Sequence, residues 1–383
     1  MGTDLCERLT KAKQSGRVPK ITAYNRIDGP GSSLDLREFQ EAFWRLPEGP
    51  IPMDEEEFAE WSKNLPRTVG ITIDIGCVVE AHPMEPNNIG IVSHDYGVQE
   101  AMEAGHVPYQ KDLWLLKILD LFGLSGVRFE LHNLIPGIRS SGLGGSATAS
   151  TAVCLLANEL ADAGFTGEQI VAAASLVEQD MGVSITGTQE QSNVVFGGVV
   201  DYVWFPWGVP GLGGSYGSSI RRTLLEEEEY PKLASRIRIY HSGRERASTD
   251  VNAVWRQRLS EPTGYELHRR KLGLAYDFRE GLRRQDWDRV MHSVRHYREV
   301  RVELCPDYMT EECWDIQGQC ERFGAESFPL GAGGGGAVLV FSPSVDKMDA
   351  LSELLAPVYR RIEFNVRSCG HQLENVRESH PDR

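Results

Sequence analysis

Apolar and polar residues recur along this chain with two different periods, and the points where the period changes mark out its elements. Lys20-Ile21-Thr22-Ala23-Tyr24 alternates and reads as a first strand, and the β-branched run Thr68 to Ala81 supplies further strand structure. Val127-Arg128-Phe129-Glu130-Leu131-His132 alternates again, as does Val199 to Phe205. Helical spacing appears at 110–123, 146–162 and 167–181, where Ile170, Ala174, Val177 and Met181 share one face. The second half opens on the strand Arg236-Ile237-Arg238-Ile239-Tyr240 and continues with helices near 249–260, 265–284, 286–303 and 309–323. It closes with strands near 325–329, 337–341 and 361–364 and a helix near 344–357. Residues 1–19 show little pattern, the Pro/Glu-rich stretch 47–57 reads as a surface insertion, and Pro206 to Ser219 reads as an exposed loop or connection. Strands separated by helices in both halves predict an α+β architecture, and the polar last dozen residues are expected to be loosely ordered.

Length and charge narrow the function classes. A chain of 383 residues is long enough for two domains. A formal net charge of −15 argues against general binding to nucleic acid or an anionic membrane surface, while leaving room for a local basic pocket. No apolar run approaches the roughly 20 residues that span a bilayer, and Met1 to Arg8 lacks a basic-then-apolar signal pattern. The seven cysteines are scattered, with no C-x-x-C pair; Cys313 and Cys320, two helical turns apart, read as core or surface thiols. A reduced, cytoplasmic setting is therefore expected.

Two glycine clusters carry the candidate chemistry. Ser140-Ser141-Gly142-Leu143-Gly144-Gly145-Ser146-Ala147-Thr148-Ala149-Ser150 follows a strand pattern and leads into a helix pattern. Glycines there let backbone N–H groups approach a phosphate, and the helix start adds unpaired donors. Three readings fit this segment alone: a packing turn, a dinucleotide loop (Gly142-x-Gly144-x-x-Ala147), or a triphosphate loop of non-Walker type. Against the dinucleotide loop, the following helix runs into Gly164-Phe165-Thr166-Gly167 and a second helix, where a strand ending in an acidic residue is required. The second cluster, Gly331-Ala332-Gly333-Gly334-Gly335-Gly336, lies between two strands, and the pair favours loops that bring backbone against a ligand.

Together these segments resemble the signature motifs of the GHMP kinase superfamily (galactokinase, homoserine kinase, mevalonate kinase, phosphomevalonate kinase). Arg26-Ile27-Asp28-Gly29-Pro30-Gly31-Ser32-Ser33-Leu34-Asp35-Leu36 is similar to the first motif in its Arg-Ile-x-x-x-Gly-Gly-Gly-Thr-Asp-Leu form, that of the heptose-phosphate kinase and fucokinase branch. Gly142 to Ala147 resembles the Gly-Leu-Gly-Ser-Ser-Ala phosphate loop, and Gly331 to Gly336 the third motif. Gly187-Thr188-Gln189-Glu190-Gln191, with Gly197-Gly198 following, is similar to that branch's Gly-Lys-Gln-Asp-Gln and Gly-Gly. Tyr240 to Ser248 resembles its Tyr-Thr-Gly-x-x-Arg-x-Ser segment. The resemblance implies a two-domain GHMP kinase fold. Its N-terminal domain (20–215) would be ribosomal protein S5 domain 2-like and its C-terminal domain (216–370) ferredoxin-like, with the active site between them.

The resemblance also implies an activity: an ATP- and Mg²⁺-dependent kinase acting on a hydroxyl of a sugar or sugar phosphate, the anomeric hydroxyl being one candidate. The expected partner is a small-molecule substrate, with no nucleic acid or membrane, and a homodimer is compatible with the family. Gly142, Leu143, Gly144, Gly145, Ser146 and Ala147 would hold the nucleotide, and Ser146 with Glu178 the Mg²⁺. Glu190 would act as general base, paired with Arg26. Asp35, Gln189, Gly333, Gly334 and Arg244 would contact the substrate, with Arg246 and Ser248 as further anion contacts. Two departures stand out: Glu190 occupies the place of an Asp and is one methylene longer, and Gly145 replaces a serine. They make a catalytically impaired nucleotide- or sugar-binding homologue with a regulatory role the alternative.

Overall fold

The computed structural model describes residues 2–45, 47–95, 97–135, 142–206, 219–244 and 248–376. Helix α1 (Gly2–Gln14) comes first, where little pattern was expected. Its apolar contribution is small, chiefly Leu5 and Leu9 one turn apart, and both pack with Ile21 and Val79. Strand β1 (Lys20–Asp28) is followed by α2 (Arg37–Phe43), α3 (Glu55–Trp61), the 17-residue β2 (Arg67–Pro83), β3 (Asn88–Ser93) and β4 (Val98–Glu103). β4 is largely exposed, so it carries no core-facing alternation in sequence. α4 (Trp114–Leu121), β5 (Val127–Asn133), α5 (Gly145–Ala161), α6 (Gly167–Asp180), α7 (Gln189–Phe196), β6 (Val199–Trp204) and β7 (Ser219–Leu225) complete the first half.

Among the described residues, eight strands form one sheet in which β2 lies centrally. β1 pairs antiparallel along most of β2, whose other edge holds β6 at its start and β5 at its end. One sheet face packs under α4, α5 and α6, and the expected stripe Ile170, Ala174, Val177 and Met181 is buried there. The Pro/Glu-rich stretch 47–57 lies at the surface, as expected, and α3 ties it to the rest of the fold. Asp54 caps α3 through the N–H groups of Glu56 and Glu57, Phe58 is buried, and Glu56 pairs with Arg283 and Arg284.

The second half runs through α8 (Tyr230–Ala234), β8 (Ile237–His241), α9 (Ser248–Gln257), α10 (Pro262–Arg284), α11 (Trp287–Leu304) and α12 (Glu311–Glu321). It continues with β9 (Glu326–Pro329), β10 (Ala337–Phe341), α13 (Val345–Leu355), β11 (Arg360–Ile362) and β12 (His371–Glu374). A second, antiparallel sheet has the order β11-β8-β10-β9. Sheet membership does not follow the division at 215/216, because β7 pairs with β6 and β12 returns to pair with β1. Much of the loop expected at 206–219 lies outside the described residues. Of the two settings expected for Cys313 and Cys320, core or surface, the fold gives them the core.

One apolar cluster joins the halves. Ile27, Leu34 and Phe39 pack together with Leu267, Ala275 and Phe278 of α10. The turn after β1 is therefore clamped, and its glycines answer to space. A Cβ at Gly29 would collide with the Phe278 ring, and one at Gly31 (φ 109°) would lie 2.5 Å from the Arg67 carbonyl oxygen.

Candidate active site

β1 delivers Arg26 and Asp28 to the base of a cleft between the halves, with Arg26 Nη1 3.2 Å from Asp28 Oδ1 and 3.3 Å from the Gly142 carbonyl oxygen. The Arg26 Nη2 donates to Glu190 Oε1 in a close ion pair. Burial alone would lower the guanidinium's proton affinity, but Asp28, Glu190 and Asp35 outweigh it and hold it charged. Asp35 is buried, and its Oδ2 accepts from the N–H groups of Thr188 (2.9 Å) and Gln189 (3.0 Å). It thus caps α7 from 150 residues away in sequence and couples the first turn to the helix bearing Glu190. Burial, then the Glu190 charge, push the Asp35 carboxyl up to about 7.

The start of α5 differs from those of five other helices. α3, α6, α11, α12 and α13 each begin with a side chain accepting a backbone N–H, whereas α5 begins at Gly144 (φ 81°) with no side-chain cap. Gly145, Ser146 and Ala147 of its first turn line the cleft, where an anion would supply the acceptor that uncapped N–H groups need. Behind this turn, α6 places Glu178 fully buried. Glu178 accepts from Ser150 Oγ (2.5 Å) and Ser184 Oγ (2.9 Å), and Ser146 Oγ lies at 3.4 Å. Burial, only partly offset by these hydroxyls, raises its carboxyl to about 7. Among the described residues Glu178 has no basic partner at hydrogen-bond distance, and a buried carboxylate beside the Ser146 hydroxyl is a donor set that would suit Mg²⁺.

Glu190 and Ser146 line one cavity of about 290 Å³, while Arg26 and Glu178, expected there, touch those two residues from outside its lining. Gly142, Gly144, Gly145, Ser146 and Ala147 line one side, Asp35, Gln189 and Glu190 another, and Gly331, Ala332, Trp255 and Arg301 close it from the second half. A Cβ on Gly144 would lie 2.8 Å from Glu190 Cγ, so the longer acid is seated directly against the loop. Three buried polar atoms of cavity-lining residues have no hydrogen-bond partner among the described residues: Asn25 Oδ1, Gln189 Nε2 and Trp255 Nε1. Acceptor and donors left unpaired in a cleft suit a ligand rich in hydroxyls.

Residues 111–198 match the family model described as GHMP kinases N terminal domain. Solved structures extend the likeness over nearly the whole chain. The Lin0012 protein of Listeria innocua aligns with a TM-score of 0.72 at 13% identity, covering 93% of this chain and 99% of its own. A D-glycero-D-manno-heptose 1-phosphate kinase of Bacteroides thetaiotaomicron aligns at 0.66 and 14% identity, covering 93% and 98%. Lactococcus lactis galactokinase, solved with galactose, aligns at 0.60 and 13%, covering 97% and 99%. The chain has the GHMP kinase fold. At these identities the structural likeness is one of fold, and comparison with curated proteins found no match in sequence.

Within the GHMP fold, the expected residues do not all reach the cavity. Leu143 is buried in the core and anchors the loop rather than lining the cavity. Gly333 packs on Tyr308, Gly334 donates its N–H to the Tyr308 carbonyl (3.0 Å), and neither lines the cavity; Gly331 and Ala332 do. Arg244 is 58% exposed, faces Glu312 at 3.7 Å and also stays outside. Asp35 lines the cavity but commits Oδ2 to the α7 cap. Arg246, together with Ser140 and Ser141, falls outside the described residues, and so does the side chain of Ser248.

Three residues of the second half were not singled out from sequence. Arg301 lines the cavity and donates to Ala332 O (2.9 Å) and Tyr297 Oη (3.2 Å), both neutral acceptors. Trp255 has the Arg301 guanidinium carbon 5.4 Å and the Lys271 Nζ 5.6 Å from its ring. Lys271, fully buried, donates to Ser33 Oγ at 2.7 Å. Ser33 has φ 79°, in the left-handed region where the first motif of the GHMP family carries glycine, and that hydrogen bond offsets part of the conformational cost.

Proposed function

We propose that this chain is an ATP- and Mg²⁺-dependent kinase that phosphorylates a hydroxyl of a sugar or sugar phosphate. The observation carrying this reading is the seating of Glu190, held by its ion pair with Arg26, against the uncapped start of α5 in one cavity. Backbone N–H groups of 145–147 hold the nucleotide phosphates, and Ser146 with Glu178 holds the metal. Mg²⁺ supplies charge neutralisation on the transferring phosphoryl group. Arg26 orients Glu190 through their ion pair, and the Glu190 carboxylate takes the acceptor hydroxyl's proton. As the substrate oxygen bonds to the γ-phosphorus, the bond to the ADP oxygen breaks and ADP leaves. Asn25, Gln189 and Trp255 offer hydrogen bonds to sugar hydroxyls.

The heptose-phosphate and galactose kinases among the fold relatives support a carbohydrate acceptor. Arg301, bonded among the described residues only to neutral acceptors in the cavity wall, supports an acceptor that already bears an anionic group. ADP formation measured across matched hexoses and hexose phosphates tests both points. Turnover with a phosphorylated sugar, at higher kcat/KM than its neutral counterpart, is expected. Equal kcat/KM would remove the role given to Arg301, and nucleotide binding without turnover on any sugar would favour a binding protein with a regulatory role.

A further inference from the structure

A second concentration of ligating side chains lies on the large sheet, outside the cavity. Val127, Phe129 and Leu131 of β5 enter the core beneath the helices, so strand alternation turns Arg128, Glu130 and His132 to the opposite face. The antiparallel register sets Glu130 across from Glu80 and Arg128 across from His82. The parallel register sets Val92 of β3 beside Glu130, so the chain leaving β3 delivers His94 next to His132. Their rings stack, with centroids 4.7 Å apart and planes 13° apart. One ligand atom from each of His94, Glu130 and His132 lies within 4.8 Å of the others.

We propose that His94, Glu130 and His132 form a binding site for a divalent transition metal of the zinc class. Two imidazoles and one carboxylate are the donor set that zinc accepts with a fourth position left to water, whereas Mg²⁺ and Ca²⁺ favour oxygen alone. Bonds of about 2.0–2.2 Å place tetrahedral ligand atoms roughly 3.4 Å apart. His94 is exposed in the turn after β3 and can close the difference by rotation, while Glu130 and His132 are fixed by strand pairing. Surrounding groups orient the carboxylate. Arg128 pairs with Glu130 Oε1, and His82 Nε2 lies 3.8 Å from Glu130 Oε2 and 3.3 Å from Glu80 Oε2. Both ring nitrogens of His82 are buried without a hydrogen-bond partner among the described residues, so the polar cluster is incompletely satisfied by the protein. None of the three ligands lines the catalytic cavity, so the site is distinct from that of Mg²⁺.

Zinc titration calorimetry on the full-length, tag-free, EDTA-stripped chain tests this, with Co²⁺ absorption in the visible as a probe of coordination geometry. One equivalent of Zn²⁺ is expected, with tetrahedral Co²⁺ bands, and loss of either histidine is expected to weaken binding by about 100-fold or more. His94→Ala should melt like the parent without metal, since its side chain is exposed, and should lose the rise in melting temperature that Zn²⁺ gives the parent. The Ser146→Ala/Glu178→Gln variant should retain the zinc site. Absence of Zn²⁺ uptake by the parent, or unchanged affinity in the His94→Ala/His132→Ala variant, would overturn the proposal. The readout needs no turnover and stands apart from the kinase reading.

Discussion

Replacing Glu178 by Gln should make the metal-free protein more stable at alkaline pH while removing its response to Mg²⁺. The carboxyl is raised from an ordinary 4.5 to about 7, chiefly by burial. At 1.36 kcal/mol per pH unit, that interval corresponds to about 3 kcal/mol. Between these values the folded chain holds the proton that the unfolded chain has lost. Stability conferred at this position therefore falls as pH rises from about 4.5 to about 7, and the full cost remains above that. Gln has the same shape and no ionisation. Its carbonyl can accept from Ser150, and its amide can donate to the Ser184 hydroxyl once that hydroxyl turns. Denaturant unfolding of both proteins across pH should show a difference near zero at about pH 5, growing to about 3 kcal/mol in favour of the variant near pH 8.5. With Mg²⁺-nucleotide added, only the parent should gain stability as pH passes 7, because the dication needs the ionised carboxylate. A difference independent of pH, or one favouring the parent at high pH without metal, would refute a buried carboxylate held for a metal.

Glu190→Gln leaves Arg26 bonded to Asp28 and removes the proton acceptor; kcat should fall about 10²- to 10⁴-fold with nucleotide affinity retained, as steady-state kinetics and calorimetry would show. Gly144→Ala combines a left-handed φ of 81° with a Cβ 2.8 Å from Glu190 Cγ. It should cost about 1–2 kcal/mol in stability, and about 100-fold in kcat if Glu190 shifts by about 1 Å. A variant with parental kcat would show that the acid is not positioned by the loop. Asp201, fully buried, lies 3.4 Å from both Arg67 Nη1 and Arg279 Nε across the two halves. Asp201→Asn should destabilise by about 3–5 kcal/mol in denaturant melts, and a change under 1 kcal/mol would remove this ion pairing from the account.

What could be read from sequence divides along a physical line. Loops whose chemistry is local (Arg26–Leu36, Gly142–Ala147, Gln189–Gln191) announce themselves, because glycine φ values, a helix start and a charged pair are encoded within a few residues. Gly333 and Gly334 are equally local in sequence, yet they serve packing against Tyr308, and only the fold separates them from Gly331. Lys271, Trp255 and Arg301 sit on helices whose spacing reads as ordinary packing. Trp255 and Arg301 come to line the cavity, and Lys271 to reach Ser33 in its wall, only once α9–α11 dock on the turn after β1. Asp35 shows the same limit. It is expected to contact the substrate, and its Oδ2 accepts from the backbone N–H groups of Thr188 and Gln189, 153 and 154 residues away. The zinc-class cluster likewise depends on strand register, which no single segment reveals.

The central claim is phosphoryl transfer to a carbohydrate hydroxyl with Glu190 as the base. Mass spectrometry of matched sugars and sugar phosphates, incubated with the protein and Mg²⁺-ATP, tests it most directly. The account predicts that at least one sugar gains a single phosphoryl group in step with ADP formation, and that Glu190→Gln abolishes the gain. No phosphorylated product from any sugar, or the same product formed at an undiminished rate by Glu190→Gln, would contradict it.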